Sequence, residues 1–213
     1  MSEDKNILKT GTTTVGVLAK DSVILAADKR ATAGSLIVDK TVEKVIPITD
    51  NLALTLSGSV SDVQVLIKYL KAELALKELK TGRVASVREA ANLLSAFTYS
   101  GIRSRGSITH FIIGGYDSTG AHLYDIFPDG SLTEIKPEVG FVTSGSGMVY
   151  ALGVLEDSYK EGLTEDESVD LCFRAIGSAL KRDNASGEGV DVFVINKNGV
   201  KKLAQKLISN KLN

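Results

Sequence analysis

Thr12 is the residue best placed to do chemistry in this sequence. It follows Gly11 and opens the run Thr12-Thr13-Thr14-Val15-Gly16-Val17-Leu18, behind a short polar leader at residues 1–11. A hydroxyl at the head of an expected strand, one peptide bond from a glycine, suggests a cleavable leader. Scission after Gly11 gives Thr12 a free α-amine. Nucleophile and base then share one residue, a recognised way to activate a weak hydroxyl. Taken alone, a threonine here is also an ordinary strand residue, because β-branched side chains suit sheets.

Three further polar residues interrupt apolar patterns. Asp28 ends the run Val23-Ile24-Leu25-Ala26-Ala27, Lys44 precedes Val45-Ile46, and Asp183 closes an apolar helical pattern. Singly they read as a strand-end carboxylate, a solvated lysine and a helix-end charge. A charge beside a buried strand needs a partner, since an unpaired one costs several kcal/mol. Asp28 and Lys44 can be each other's partner. Ser57-Gly58-Ser59 joins an expected strand to a helix, where backbone N–H groups can bind an anion or a developing oxyanion. Ser144-Gly145-Ser146-Gly147 makes a similar junction and lacks the third glycine of a dinucleotide fingerprint. The sequence has no GxxxxGK[ST] loop, no HExxH, no CxxC and no G-x-S-x-G. His110 and His122 fall on neighbouring expected strands and read as structural, so no metal and no cofactor are expected.

The elements that must position these residues follow from periodicity. Short β-like runs cover residues 12–18, 22–27, 45–48 and 51–57, with Thr49-Asp50 as a turn. The second run is continuously apolar, as in a strand covered on both faces. Two helices follow. Ser61 with Gln64 and Ser86 with Glu89 read as capping boxes, and Lys80-Thr81-Gly82 as the break between the helices. A second strand block begins at Thr109, turns at Ser118-Thr119-Gly120 and at Pro128-Asp129-Gly130, and continues near Leu132 and Phe141. Helices over about 148–160 and from Thr164 with Glu167 come next. The latter has an apolar face of Val169, Cys172, Phe173, Ile176 and Leu180. Residues 190–195 form the last expected strand. The order β-αα-β-αα-β predicts stacked layers, two antiparallel sheets between helices, and argues against a doubly wound fold.

Bulk properties narrow the function. The 213 residues fit one domain. A net charge of −1 with no like-charge block argues against nucleic-acid binding through a basic face. Cys172 is the single cysteine and lies on an apolar helix face, so it reads as a buried thiol in a reducing compartment. The charged leader has no apolar core of a signal peptide, and no apolar stretch is long enough to span a membrane. A cytoplasmic protein with no membrane partner is expected, and Asn184-Ala185-Ser186 is an accidental glycosylation sequon.

The start Gly11-Thr12-Thr13-Thr14-Val15-Gly16 resembles the processing site of proteasome β-type subunits. Further elements match in order: Ala26-Ala27-Asp28-Lys29-Arg30, Lys44-Val45, Ser57-Gly58 with Asp62 and Gln64, and Gly114-Gly115-Tyr116-Asp117. After them come Ser144-Gly145-Ser146-Gly147, Gly153-Val154-Leu155-Glu156 and Arg182-Asp183-Asn184-Ala185-Ser186-Gly187. Each motif is weak alone, and the ordered set is specific. It covers residues 11–195, and the short leader is most similar to the archaeal form. Leu152 departs from the pattern, where an aromatic often precedes Gly-Val-Leu, and this concerns packing only.

The resemblance implies an α+β fold, a four-layer αββα sandwich of the N-terminal-nucleophile hydrolases. It implies a propeptide over residues 1–11, removed by autocleavage between Gly11 and Thr12, and a single catalytic domain over residues 12–213. Thr12 would be the nucleophile and its freed amine the proton acceptor. Lys44 would sit beside the hydroxyl, held by Asp28, and whether Lys44 or the amine takes the first proton stays open. The Gly58 N–H would form the oxyanion hole. Ser146, Asp183 and Ser186 would surround the threonine amine. Thr32 would pair with an extended substrate, and Ala31, Val42, Ile46, Leu56 and Val60 would line an apolar primary pocket.

The activity implied is that of a threonine endopeptidase acting on unfolded polypeptides. The implied partners are other β-type subunits in a seven-membered ring, α-type subunits, and a regulatory ATPase acting through the α ring. The alternatives are a structural β-type subunit that needs a second β chain for processing, the related bacterial two-component protease subunit, and a small-molecule amidase of the same hydrolase class. The Arg182-Asp183-x-x-Ser186-Gly187 element disfavours the bacterial form.

Overall fold

A computed structural model describes residues 11–207 of the chain. The first strands are β1 (Thr13–Leu18), β2 (Val23–Asp28), β3 (Ala31–Ala33), β4 (Leu36–Asp39), β5 (Val45–Thr49) and β6 (Leu52–Gly58). Helices α1 (Val60–Thr81) and α2 (Val87–Arg105) follow. Next come β7 (Thr109–Asp117), β8 (Gly120–Ile126), β9 (Leu132–Glu134) and β10 (Phe141–Gly145). Helices α3 (Met148–Ser158) and α4 (Glu165–Leu180) precede β11 (Gly189–Asn196) and β12 (Gly199–Leu207).

Two five-stranded antiparallel sheets result, in the orders β10-β1-β2-β11-β12 and β5-β6-β7-β8-β9, with β3-β4 as a separate hairpin. The strands alternate between two apolar environments. In β2, Ile24 and Ala26 pack with Leu155, Leu171, Cys172 and Ile176 of α3 and α4. Val23, Leu25 and Ala27 face the second sheet, alongside Ala53, Ile112 and Leu123. In β6 and β7, Leu52, Leu54, Phe111 and Ile113 pack with Leu66, Leu70 and Leu94 of α1 and α2. Each central strand is therefore buried on both faces, which is why the residues 22–27 run has no polar alternation. The layers are helices, sheet, sheet, helices, as expected.

The boxes at Ser86–Glu89 and Thr164–Glu167 both form, and Gly82 ends α1 in a left-handed conformation. The expected Ser61–Gln64 box does not. Helix α1 starts one residue after β6, with Ser59 at its cap and no side-chain capping bond. Ser61 lies inside the first turn, where its Oγ meets the Ser59 Oγ at 3.2 Å. The junction is held instead from the neighbouring strand end, by the Ser59 N–H donating to the Ile108 carbonyl at 3.3 Å.

Three elements have no counterpart in the periodicity: β3, which is three residues long, β4 and β12. All four residues of β4 are exposed, so that strand has no core face to imprint an alternation. Strand β12 is an edge carrying Lys201 and Lys202, and charge on an edge strand blunts pairing with other chains. Cys172 is buried, and burial pushes its thiol well above the ordinary range. No described helix is long and apolar enough to cross a membrane.

Candidate active site

Asp28 stands at the last position of β2, fully buried, and four donors converge on its carboxylate. Oδ1 accepts from the Lys44 ammonium at 2.7 Å and from the Thr13 N–H at 2.9 Å. Oδ2 accepts from the Gly187 N–H at 3.0 Å and the Arg30 N–H at 3.1 Å. One side chain thus ties together the start of β1, the end of β2, the segment before β5 and the loop before β11. Lys44 is 3% exposed. Burial lowers its pKa and the Asp28 charge opposes that fall, with the net displacement downward.

Thr12 is buried at the head of β1. Its hydroxyl donates to the Gly11 carbonyl at 2.7 Å, and the Lys44 ammonium donates to the same oxygen at 3.1 Å. The carbonyl preceding Thr12 is therefore polarised by the lysine and touched by the adjacent hydroxyl.

The Thr12 N–H donates to Ser146 Oγ at 3.2 Å. Ser146 Oγ lies 2.7 Å and Ser186 Oγ 2.6 Å from the same Asp183 oxygen, and Thr13 Oγ1 lies 2.7 Å from Ser186 Oγ. Each hydroxyl has one proton. Both serines give theirs to the carboxylate, so Ser146 accepts from Thr12 and Ser186 accepts from Thr13. Asp183 also caps its own loop, accepting from the Ala185 N–H at 3.2 Å.

Gly58 ends β6 at φ +112°, a region that favours glycine, and a Cβ there would overlap the Ile108 carbonyl. Thr32 donates its hydroxyl to the Ala185 carbonyl at 2.9 Å, fastening β3 to the Asp183 loop. Among the residues expected to line a primary pocket, Ala31 is buried beside Thr32. Ile46 and Leu56 are partly buried against the α1–α2 core, and Val42 is half-buried. Val60 opens α1, and its side chain lies outside the described residues. The leader before Gly11 also lies outside them.

Thr12, Asp28, Lys44, Ser146, Asp183 and Ser186 thus meet in one hydrogen-bonded cluster. Several members of its surroundings were not singled out by sequence. Thr13 contributes both its N–H and its hydroxyl, and the signal for it was the threonine triplet. Arg30 holds the 183–188 loop, donating to the Asn184 carbonyl at 3.0 Å and to Glu188 at 3.0 and 3.3 Å. Glu188 itself has φ +68°, a strained value for a residue other than glycine. The histidines take other partners: His110 Nε2 lies 2.6 Å from Asp125, and His122 Nε2 lies 2.7 Å from the Thr119 hydroxyl. No group of three His, Cys, Asp or Glu that could hold a metal ion occurs among the described residues.

The sequence pattern described as proteasome subunit matches residues 8–195. The chain is 44% identical over 185 residues to a proteasome subunit beta of Ferroglobus placidus, covering 87% of this chain and 86% of that relative. It is 41% identical over 210 residues to that of Methanothermobacter thermautotrophicus, covering 98% and 97%. With the protein of the same name from Methanocaldococcus vulcanius the identity is 44% over 203 residues, covering 95% and 89%. The chain belongs to the proteasome subunit family, as a β-type subunit of the archaeal kind.

Proposed function

We propose that this subunit is a threonine endopeptidase that acts on unfolded polypeptides after it removes its own residues 1–11. The observation that carries this is the shared Gly11 oxygen, 2.7 Å from the Thr12 hydroxyl and 3.1 Å from the Lys44 ammonium. The bond to be cut lies beside both the nucleophile and an electrophilic cation.

In self-processing, Thr12 Oγ1 attacks the Gly11 carbonyl carbon. The hydroxyl proton is transferred to the departing Thr12 nitrogen as the C–N bond breaks, leaving an ester. Water then hydrolyses the ester and releases the leader with a free carboxylate. The exposed α-amine has an unperturbed pKa of about 7.7–8.0 and suits a general base near neutral pH. The same nitrogen inside the amide is not basic, so the uncut chain is inert towards other peptides.

In the mature subunit, the Thr12 hydroxyl attacks a substrate carbonyl while the amine accepts its proton. Lys44, kept charged by Asp28, favours the developing alkoxide and the neutral amine. Ser146, Asp183 and Ser186 orient the amine. The Gly58 N–H receives the oxyanion, a donor of the kind worth about 3–4 kcal/mol in the transition state. Thr32 offers its backbone to an extended peptide in the manner of an added strand. Ala31, Val42, Ile46, Leu56 and Val60 carry no charge, so cleavage after large apolar residues is favoured.

The partners are further β-type subunits in a seven-membered ring, flanking α-type subunits and a regulatory ATPase. The exposed Leu36 and Val38 of β4, and Val149 and Leu152 of α3, are apolar surface suited to packing against other subunits. The test is N-terminal sequencing of the assembled particle beside a Thr12→Ala variant. Wild type should begin at Thr12 and degrade a casein-like protein, and the variant should keep its leader and degrade nothing. Peptide-degrading particles that retain residues 1–11 on every copy of this chain would refute the proposal.

A further inference from the structure

The proposed nucleophile and the proposed oxyanion donor lie on different sheets. Thr12 precedes β1 of the first sheet, and Gly58 ends β6 of the second. Both must reach one carbonyl group, and a misplacement of about 1 Å costs on the order of a hundredfold in rate. Most of the interface between the sheets is apolar, built from Leu25, Ala53, Ile112, Leu123 and Val142. Such contacts hold the sheets together without fixing direction.

At the end of the interface nearest the site the chemistry changes. Thr14 Oγ1 lies 2.8 Å from Ser144 Oγ, which lies 3.2 Å from Ser57 Oγ, which donates to the His110 carbonyl at 3.4 Å. Thr14 and Ser144 are fully buried and Ser57 nearly so. The Ser144–Ser57 step crosses from one sheet to the other, because β10 and β6 belong to different sheets. The carbonyl can only accept and each hydroxyl has one proton. The chain therefore has a single direction: Thr14 donates to Ser144, Ser144 to Ser57, and Ser57 to His110. The receiving strand is itself held, since the His110 ring bonds Asp125 at 2.6 Å and stacks on Phe127.

Each member stands one or two residues from a site group. Thr14 is two beyond Thr12, Ser144 is two before Ser146, and Ser57 immediately precedes Gly58. At about 3.3 Å per strand residue, the chain grips each strand within roughly 7 Å of the reacting centre. We propose that Thr14, Ser144 and Ser57 are positioning residues, a directional hydroxyl chain that sets the nucleophile strand against the oxyanion strand. This rests on Thr12 and Gly58 acting as proposed above. Stability alone does not require the chain, because replacing all partners of a buried hydrogen bond by apolar groups of like shape can be nearly neutral.

The test compares Thr14→Val, which keeps shape and loses the hydroxyl, with Thr14→Ser, which keeps the hydroxyl. Ser57→Ala and Ser144→Ala break the chain at its other members. Each is assembled with α-type subunits and assayed for kcat and KM on a peptide reporter with an apolar residue before the scissile bond. Thr14→Val and Ser144→Ala should lower kcat by about tenfold or more, with KM changed by less than about twofold, as expected of lost alignment rather than lost binding. Thr14→Ser should retain kcat within about twofold.

A Thr14→Val particle with wild-type kcat, or a Thr14→Ser particle as slow as Thr14→Val, overturns the proposal. If Thr14→Val does not assemble, Ser57→Ala decides in the same way from the second sheet. The Thr12→Ala particle separates the two levels. Residual peptide cleavage there refutes the threonine mechanism itself. An inert Thr12→Ala particle beside a fully active Thr14→Val particle refutes only the positioning role.

Discussion

Lys44 Nζ and Asp28 Oδ1 lie 2.7 Å apart, with the lysine 3% exposed and the aspartate closed off from water. Removing one partner leaves an uncompensated buried charge, a loss of about 3–5 kcal/mol. Lys44→Met and Asp28→Asn should each destabilise by that order and stop leader removal. The double variant should recover much of the stability and none of the activity. Chemical denaturation and intact mass separate the two effects, and a double variant that processes its leader would show that the pair is structural only.

The pH profile of the processed particle should be bell-shaped. On the acid side, activity rises as the Thr12 amine loses its proton, near pH 7.7–8.0 for an unperturbed amine. On the alkaline side it falls as Lys44 loses its charge. Burial places that fall below the ordinary lysine value of 10.5. The stability effect has the opposite sign. The unfolded chain binds this proton more tightly than the folded one, so stability rises with pH between the folded and unfolded values. The measurement is kcat/KM against pH, and an alkaline limb centred at or above 10.5 contradicts it.

Gly11 packs against Ala185 so closely that an added Cβ would overlap the Ala185 methyl. Gly11→Ala should therefore displace the scissile carbonyl and slow leader removal by tenfold or more, taking about 1.4 kcal/mol per factor of ten in rate. Ala185→Gly in the same chain should restore much of the rate. Time-resolved intact mass during assembly reads both, and a single variant that matures at the wild-type rate removes the steric account.

Arg30 clamps the loop that carries Asp183 and Ser186, through the Asn184 carbonyl and the Glu188 carboxylate. The Arg30–Glu188 pair is partly exposed, at 20% and 18%, so its loss should cost no more than about 1 kcal/mol of stability. Its effect on rate should be larger. Arg30→Met should lower kcat by about tenfold by loosening the support of the Thr12 amine. Arg30→Lys should rescue only in part, because lysine lacks the planar fork. Steady-state kinetics with thermal melts on the same particles checks this, and equal kcat in all three would assign Arg30 to stability alone.

Much of the fold was legible in the chain because burial leaves a periodic trace. The continuous apolar run of β2 announced a strand covered on both faces. Ser86 with Glu89 and Thr164 with Glu167 announced two helix starts. Strands β4 and β12 left no such trace, because the first has no buried face and the second carries lysines on an edge. The absent Ser61 box failed for a related reason: a contact from the neighbouring strand end, distant in sequence, satisfied the junction instead.

By itself the sequence determined the layer order, the isolation of Asp28 at the end of an apolar strand, and the threonine triplet behind Gly11. These are local properties, set by which residues can be buried, capped or turned within a few positions. Tertiary structure alone decided that Asp28 also gathers the Thr13, Arg30 and Gly187 N–H groups, that Thr13 reaches Ser186 across 173 positions of chain, and that Ser144 touches Ser57 between the sheets. Hydrogen bonds depend on distance and direction at the scale of tenths of an ångström, and only the closed sandwich supplies those.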